Sequence, residues 1–522
     1  MNVIITMAGK SKRFVDKGYK IPKHLIELNG LKVIEHLINL FPFTSTKFYF
    51  VIRNNNNHSS YLKKIVSKYK LNYEIFSIRP NNLGPVYSIS KIIDKLPDND
   101  PVIVSYSDFS ILWSYSNFIK YIKKKNCDGC VITYKGFHPH MLRDNNYGYC
   151  KINRNKKIID FREKESFTSN RMNEHASAGM YYFKKSSFLK KFGNELINNK
   201  EKINGEYYVS MVHKKMIDFG LSNFVYEIEK FLQWGQPEDL EEYLSWSNLF
   251  NKITKYKNNF NINNSTLILP MAGKGERFSK EGYKKVKPQL SISKKKMYVQ
   301  ALKCLPKSSK NIFVSLKNNN SIHKNLKKSN LVILNKVLPG QACSVEYAIK
   351  TRNIRGKILI GSCDNGIMYN QIKLHKLIKE NPDIVVFTFT NSYAAKKNPN
   401  MYSWVDTDHN DNIKKVNVKK FNKNKDPLLS KAIVGAFFFK NSKVYLDSMK
   451  NLYKKKIKTN NEYYIDNLIN ESINLGYSVK NFLVDEYICW GTPNDYETFR
   501  YWQDFFSKVK FHKYDKDKKY FL

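Results

Sequence analysis

Short apolar runs punctuate the chain, and between them lie stretches whose apolar positions return every three or four residues. The runs predict strands at Val3–Thr6, Phe48–Ile52, Val102–Ser105, Val131–Thr133 and Met180–Phe183. A continuous apolar run bounded by polar turns is the pattern of a strand covered on both faces. The periodic stretches predict helices at Val33–Leu40, Tyr61–Tyr69 and Val86–Lys95. Alternating strands and helices predict an α/β fold, a mostly parallel sheet with helices on both faces. Ligands in such sheets sit beyond the carboxyl ends of the strands.

The pattern occurs twice. Residues 3–14 read VIITMAGKSKRF and residues 267–278 read LILPMAGKGERF, at an offset of 264. That offset still holds from Lys23 to Lys287. Further on the offset is 256, joining Gly84 to Gly340, Asp108 to Asp364, Lys164 to Lys420, Gly179 to Gly435, Glu206 to Glu462 and Trp234 to Trp490. A surface loop absorbs the difference at little cost. Two domains are therefore expected, 1–252 and 264–522, joined by an Asn- and Lys-rich linker at Asn251–Asn263. Each ends in a helix with an apolar stripe, Leu240, Tyr243, Leu244 and Phe250 in the first and Tyr496, Phe499 and Phe506 in the second.

Composition narrows the picture. Hydrophobic residues make up 42% of the chain, enough to fill two cores, which excludes global disorder. The formal charge of +44 raises the question of nucleic acid. The lysines are spread over both halves, however, so solvated faces are favoured, and a basic surface also attracts nucleotides and sugar phosphates. Seven cysteines without framework spacing fit a reducing compartment, and Cys127 and Cys130 read as a turn entering a strand. Met1 leads straight into Val3-Ile4-Ile5, so no signal peptide is expected, and no apolar stretch approaches the ~18 residues of a membrane span. The expected setting is cytoplasmic.

The chemistry gathers at strand ends. After the first strand come Ala8, Gly9, Lys10 and Ser11, then Arg13, then Pro22-Lys23; the second copy has Ala272, Gly273, Gly275, Arg277 and Lys287. Small residues let the backbone approach a triphosphate, and cations meet its oxygens. This is neither a Walker loop nor a dinucleotide fingerprint. Tyr106-Ser107-Asp108 and Ser362-Cys363-Asp364 each place a carboxylate after a buried strand, where it can hold Mg²⁺ with phosphate oxygens. His138 and His140 flank a proline in a loop of the first copy, either to meet an anion or to pack.

The glycine loop, the Arg-Phe and the later lysine, present twice, resemble the nucleotidyltransferase family that couples a nucleoside triphosphate to a sugar 1-phosphate, particularly its capsule and surface-polysaccharide forms. The resemblance extends over nearly the whole chain, once per copy. It implies two tandem Rossmann-like (GT-A-like) domains, with nucleoside triphosphate and sugar 1-phosphate as partners and Mg²⁺ as cofactor. It gives catalytic roles to Arg13, Lys23, Arg277 and Lys287, and metal binding to Asp108 and Asp364. Nucleotide binding falls to Ala8, Gly9, Gly84, Ala272, Gly273, Gly275 and Gly340. Substrate binding falls to Glu163, Lys164, Gly179, Glu206, Lys420, Gly435 and Glu462.

The sequence departs from the family pattern at five positions. Ser11 replaces a loop glycine, Val286 replaces the proline before the lysine, and the second copy reads Lys419-Lys420 where the first has Glu163-Lys164. Gln233 and Cys489 stand where a second metal carboxylate is expected. The first copy is therefore expected to be catalytic, and the second to have either a different acceptor or a binding role. A nucleotide-sugar-using glycosyltransferase and an inactive nucleotide-sugar binder are the alternatives.

Overall fold

The computed structural model describes residues 1–54, 56–143, 147–515, 518 and 520. The chain divides into two compact units, Met1–Trp246 and Ser247–Leu522. Each is α/β, built on one nine-stranded, mostly parallel sheet with helices packed on it.

In the first unit the strands run, edge to edge, Ile158–Glu163, Gly148–Ile152, His175–Phe183, Val102–Tyr106, Asn2–Met7, Lys47–Arg53 and Asn72–Ile78. Gly129–Tyr134 joins alongside His175–Phe183, and Asn223–Glu227 pairs with it in turn. The apolar runs make these strands because both faces are covered: Val3, Ile4, Ile5, Ile103 and Val104 have no exposed surface. In the second unit the central order is Ala432–Phe439, Lys357–Ile360, Asn261–Pro270, Lys307–Leu316 and Leu331–Leu334, the same order as in the first.

Local differences from the sequence reading have local causes. The helix expected over 86–95 stops as Pro85–Ser90, and Ile93–Lys95 forms a separate 3-10 turn. Ser88 and Ser90 turn their hydroxyls back onto the carbonyls of Gly84 and Tyr87, at 3.2 and 2.8 Å, in competition with the helix ladder. The segment expected as a linker is bonded within the second unit. Asn258 donates to the carbonyls of Lys303 and Leu305 at 2.9 and 2.7 Å, and a strand begins at Asn261. The seven cysteines are all free thiols, and Cys130 lies in the strand Gly129–Tyr134. Among the described residues no helix is long and apolar enough to cross a membrane.

Candidate functional site

The site of the first unit follows from two neighbouring parallel strands. Asn2–Met7 and Val102–Tyr106 pair with Thr6 opposite Tyr106, so the chain leaves both at the same edge. One exit is the loop Ala8–Ser11; the other is Ser107-Asp108. Lys23 comes from the 3-10 turn Lys23–Leu25, held by Pro22 at φ −56°. Its Nζ donates to Asp108 Oδ2 at 2.7 Å, with both side chains about three-quarters buried. The second unit repeats this. Asn261–Pro270 pairs in parallel with Lys357–Ile360, Lys287 opens the turn Lys287–Gln289, and its Nζ lies 2.5 Å from Asp364 Oδ2. Burial opposes the charge on each partner there, but their mutual attraction outweighs it: the Lys287 pKa is raised and that of Asp364 lowered.

Around the first pair lies a cleft of about 570 Å³. The loop residues Ala8 and Gly9, Gly84, Asp108 and Glu206 line it together with Lys23. Lys10 of the loop motif and Tyr208, next but one to Glu206, also line it, as do Lys20, Arg53 and Asn81, to which the motifs give no role. Lys20 has a counterpart in Lys284, a signal the repeat carried. Arg53 ends an apolar strand and offers no sequence signal. Arg13 is exposed on the helix Lys12–Asp16 and does not line the cleft, though its charge acts on the phenol of Tyr208. Arg277 acts likewise on Tyr464.

The loop turn needs a left-handed residue just before its helix. Gly275 supplies it at φ 66° without strain; Ser11 adopts the same conformation at φ 51°. Val286, at φ −61° and ψ 143°, keeps the geometry of Pro22.

Gly84 caps the helix Pro85–Ser90 and is lashed to the Glu206-Tyr207-Tyr208 segment. Tyr207 N donates to Leu83 O at 2.9 Å and Val86 N to Tyr207 O at 3.1 Å. A Cβ on Gly84 would stand 2.9 Å from that backbone. Gly340 is tied to Tyr463 in the same way, with its imagined Cβ 2.4 Å from Tyr463 O. Gly179 and Gly435 take φ 75° and 89° at irregular points in their strands; the nearest side chains are Tyr106 for Gly179 and Ser362 for Gly435. Glu462 is exposed, whereas Glu206 is partly buried.

Glu163 ends its strand, accepts from Ser210 Oγ at 2.6 Å, and is pushed up to about 7 by burial, against the Ser210 bond and the Lys164 charge. Lys164, at φ 61°, reaches Tyr208 OH at 2.5 Å. In the second unit the match to Lys164 falls one residue earlier than the repeat suggests. Lys419 takes φ 52° and lies over the Tyr464 ring at 5.7 Å; Lys420 is exposed. The strand pairs explain the slip. Ile158 and Phe161 are the buried positions of one strand, Ile413 and Val416 of the other, an offset of 255.

Gln233 and Cys489 stand beside the site carboxylates. A Cβ on Gly235 would meet Asp108 Oδ2 at 2.7 Å and Gln233 Nε2 at 3.1 Å, and one on Gly491 would meet Asp364 Oδ2 at 3.3 Å and Cys489 Sγ at 3.4 Å. Burial keeps the Cys489 thiol well above its ordinary pKa. His138 and His140 pack. Both are buried among Tyr134, Tyr147 and Phe231, and burial drives the imidazole of His138 down to about 3.

Residues 2–232 match the family described as Nucleotidyl transferase. That stretch is most of the first unit and less than half of the chain. The chain is 30% identical over 213 residues to the Bifunctional protein GlmU of Buchnera aphidicola subsp. Baizongia pistaciae (strain Bp), covering 40% of this chain and 43% of that protein. It is 28% identical over 217 residues to the Bifunctional protein GlmU of Buchnera aphidicola subsp. Schizaphis graminum (strain Sg), covering 41% and 43%. The chain thus spans less than half the length of these relatives. The nucleoside-diphosphate-sugar pyrophosphorylase of Vibrio cholerae RC9 is a similar solved structure. It is 20% identical, with a TM-score of 0.40, over 47% of this chain and all of that one.

Proposed function

We propose that this protein is a nucleotidyltransferase that joins a nucleoside triphosphate to a sugar 1-phosphate and releases pyrophosphate. On this reading it carries two copies of one nucleotide-binding domain, 1–252 and 264–522. The single observation that supports it most is the Lys–Asp pair beside a glycine loop at the ends of two adjacent parallel strands, present in both units. An oxygen of the sugar phosphate attacks the α-phosphorus. The bond from that phosphorus to the β-phosphate oxygen breaks, and pyrophosphate departs with the electron pair. The nucleophile is already an anion, so the protein needs no general base. Its work is to hold two anions together and offset their charge. The loop amides of Ala8–Ser11, with Lys23, serve that end, and Arg13 is the further cation of the loop.

A divalent ion would be held by Asp108, and by Asp364 in the second unit. Among the described residues no group of three or more His, Cys, Asp or Glu is gathered as a metal cage. That donor set suits Mg²⁺, which takes one or two carboxylates and completes its shell with phosphate and water. Gln233 can add an amide oxygen in the first unit; a protonated Cys489 adds nothing useful in the second. When bound, the ion offsets the negative charge that builds on the phosphates. A cytoplasmic role supplying activated sugars for surface polysaccharide is the finer reading, supported by the motif resemblance and the free thiols.

The test is to incubate the full chain with each of the four common triphosphates against a panel of sugar 1-phosphates and to measure pyrophosphate. Release that requires both substrates is expected; none in any combination would end the proposal.

A further inference from the structure

The second unit lacks the glutamate that ends the strand Ile158–Glu163 in the first, yet a carboxylate reaches the same neighbourhood from elsewhere. In the first unit Glu163 lies opposite Gly148 across the strand pair. A Cβ at Gly148 would fall 2.7 Å from Glu163 Oε2, so the glycine leaves room for the acid. Ser210, the second residue of the helix Val209–Asp218, donates to that acid at 2.6 Å.

In the second unit all three positions change together. Trp404 pairs with Asn417 as Tyr149 pairs with Arg162, so the next positions outward are Ser403 for Gly148 and Val418 for Glu163. Val418 is an apolar side chain packed against the core. The second residue of the helix Ile465–Asn474, in the place of Ser210, is Asp466. Ser403 Oγ donates to Asp466 Oδ2 at 2.6 Å. Acid and hydroxyl have exchanged sides. The lysine beside them keeps its place over the ring but not its bond: Lys164 lies over Tyr208 at 4.6 Å and Lys419 over Tyr464 at 5.7 Å, while Lys164 Nζ donates to Tyr208 OH and Lys419 Nζ to the carbonyl of Met401. The charges of Asp466, Arg277 and Asp364 all act on Lys419, which ties this cluster to the Lys287–Asp364 site.

We propose that Asp466, delivered from the helix, is the acceptor-binding carboxylate of the second unit, with Lys419 as its cationic partner, and that its new direction of approach gives the two units different acceptor preferences. The ligand class is a phosphate monoester bearing hydroxyl groups: Lys419 and Arg277 meet the phosphate, and Asp466 accepts from a hydroxyl. This rests on the nucleotidyl-transfer reading of the same site.

The test uses the full chain carrying Lys23→Ala and Glu163→Gln, so that the second unit is read alone. Binding of glucose 1-phosphate, galactose 1-phosphate, mannose 1-phosphate and N-acetylglucosamine 1-phosphate is followed by calorimetry, beside pyrophosphate release. At least one of the four binds, and Asp466→Asn weakens it about ten- to a hundredfold, the loss of one hydrogen bond to a charged group. Triphosphate affinity changes less than about twofold, and Lys420→Ala leaves both unchanged. The triple variant Ser403→Gly, Val418→Glu, Asp466→Ser transposes the arrangement of the first unit and moves the preference toward that unit's acceptor, an outcome that mere loss of folding cannot produce. Binding of none of the four, or binding indifferent to Asp466→Asn, overturns the inference. Asp466-dependent binding with no pyrophosphate release supports the second unit as an acceptor-binding site, and the nucleotidyl-transfer reading is then judged separately by pyrophosphate release from the unsubstituted chain.

Discussion

At the scale of single residues, backbone conformation separates the two loops. Ser11 holds a left-handed conformation that Gly275 adopts without cost. A non-glycine residue there is disfavoured by about 1–2 kcal/mol. Ser11→Gly should therefore raise the stability of the first unit by about 1 kcal/mol in a denaturant titration, less the entropy that glycine returns to the unfolded chain. A lower midpoint would show that the serine hydroxyl matters more than its backbone. Gly340 is the opposite case. Its φ of 114° belongs to a region that costs other residues about 1–3 kcal/mol, and a Cβ would lie 2.4 Å from Tyr463 O. Gly340→Ala should lower the denaturation midpoint of the second unit clearly while leaving the first unit unchanged. Both glycines were legible as motif positions; the reasons became visible only in the structure, a left-handed φ at Gly275 and the backbone of Tyr463 against Gly340.

Strands and helices decide which of these side chains meet. The parallel strands were legible because an apolar run covered on both faces leaves a plain trace. The one-residue slip at Lys419 was not. Lys419 and Lys420 are the same residue type, and only the buried pair Ile413 and Val416 fixes which one turns toward Tyr464. The exchange of Glu163 for Asp466 was hidden for the same reason, since it joins a strand to a helix about fifty residues later.

Burial of acids on these elements also makes stability depend on pH. Glu163 is raised to about 7, by burial first, and Asp239, at the start of the helix Pro237–Ile253, is also raised to about 7 by burial, against the pull of Arg143. A raised carboxyl pKa means that the folded state binds the proton more tightly than the unfolded one. Their contribution is thus complete below about pH 4 and is lost as the pH rises through about 7. The unfolding midpoint of the first unit should fall across that window, and Glu163→Gln should flatten part of the fall. An unchanged slope in the variant would place the titration elsewhere.

For the whole molecule the question is whether two similar sites do one job or two. The repeat was legible from the spacing of Gly, Trp and charged residues alone, and both units carry the same strand order and the same Lys–Asp pair. Their surroundings differ: Ser11 against Gly275, Gln233 against Cys489, and Glu163 against Asp466. If both sites served one acceptor, such divergence around the acceptor would be selected against in both. Lys23→Ala and Lys287→Ala, each made in the full chain, separate the cases. Removing either lysine leaves a buried aspartate without its partner, which is strongly unfavourable and should cut the turnover of its own unit by at least tenfold. With two jobs, each variant loses pyrophosphate release with one acceptor and retains it with another. Equal partial loss of a single activity from both substitutions would mean that the units are redundant copies, and the divergence around Asp466 would then have no consequence for the choice of acceptor.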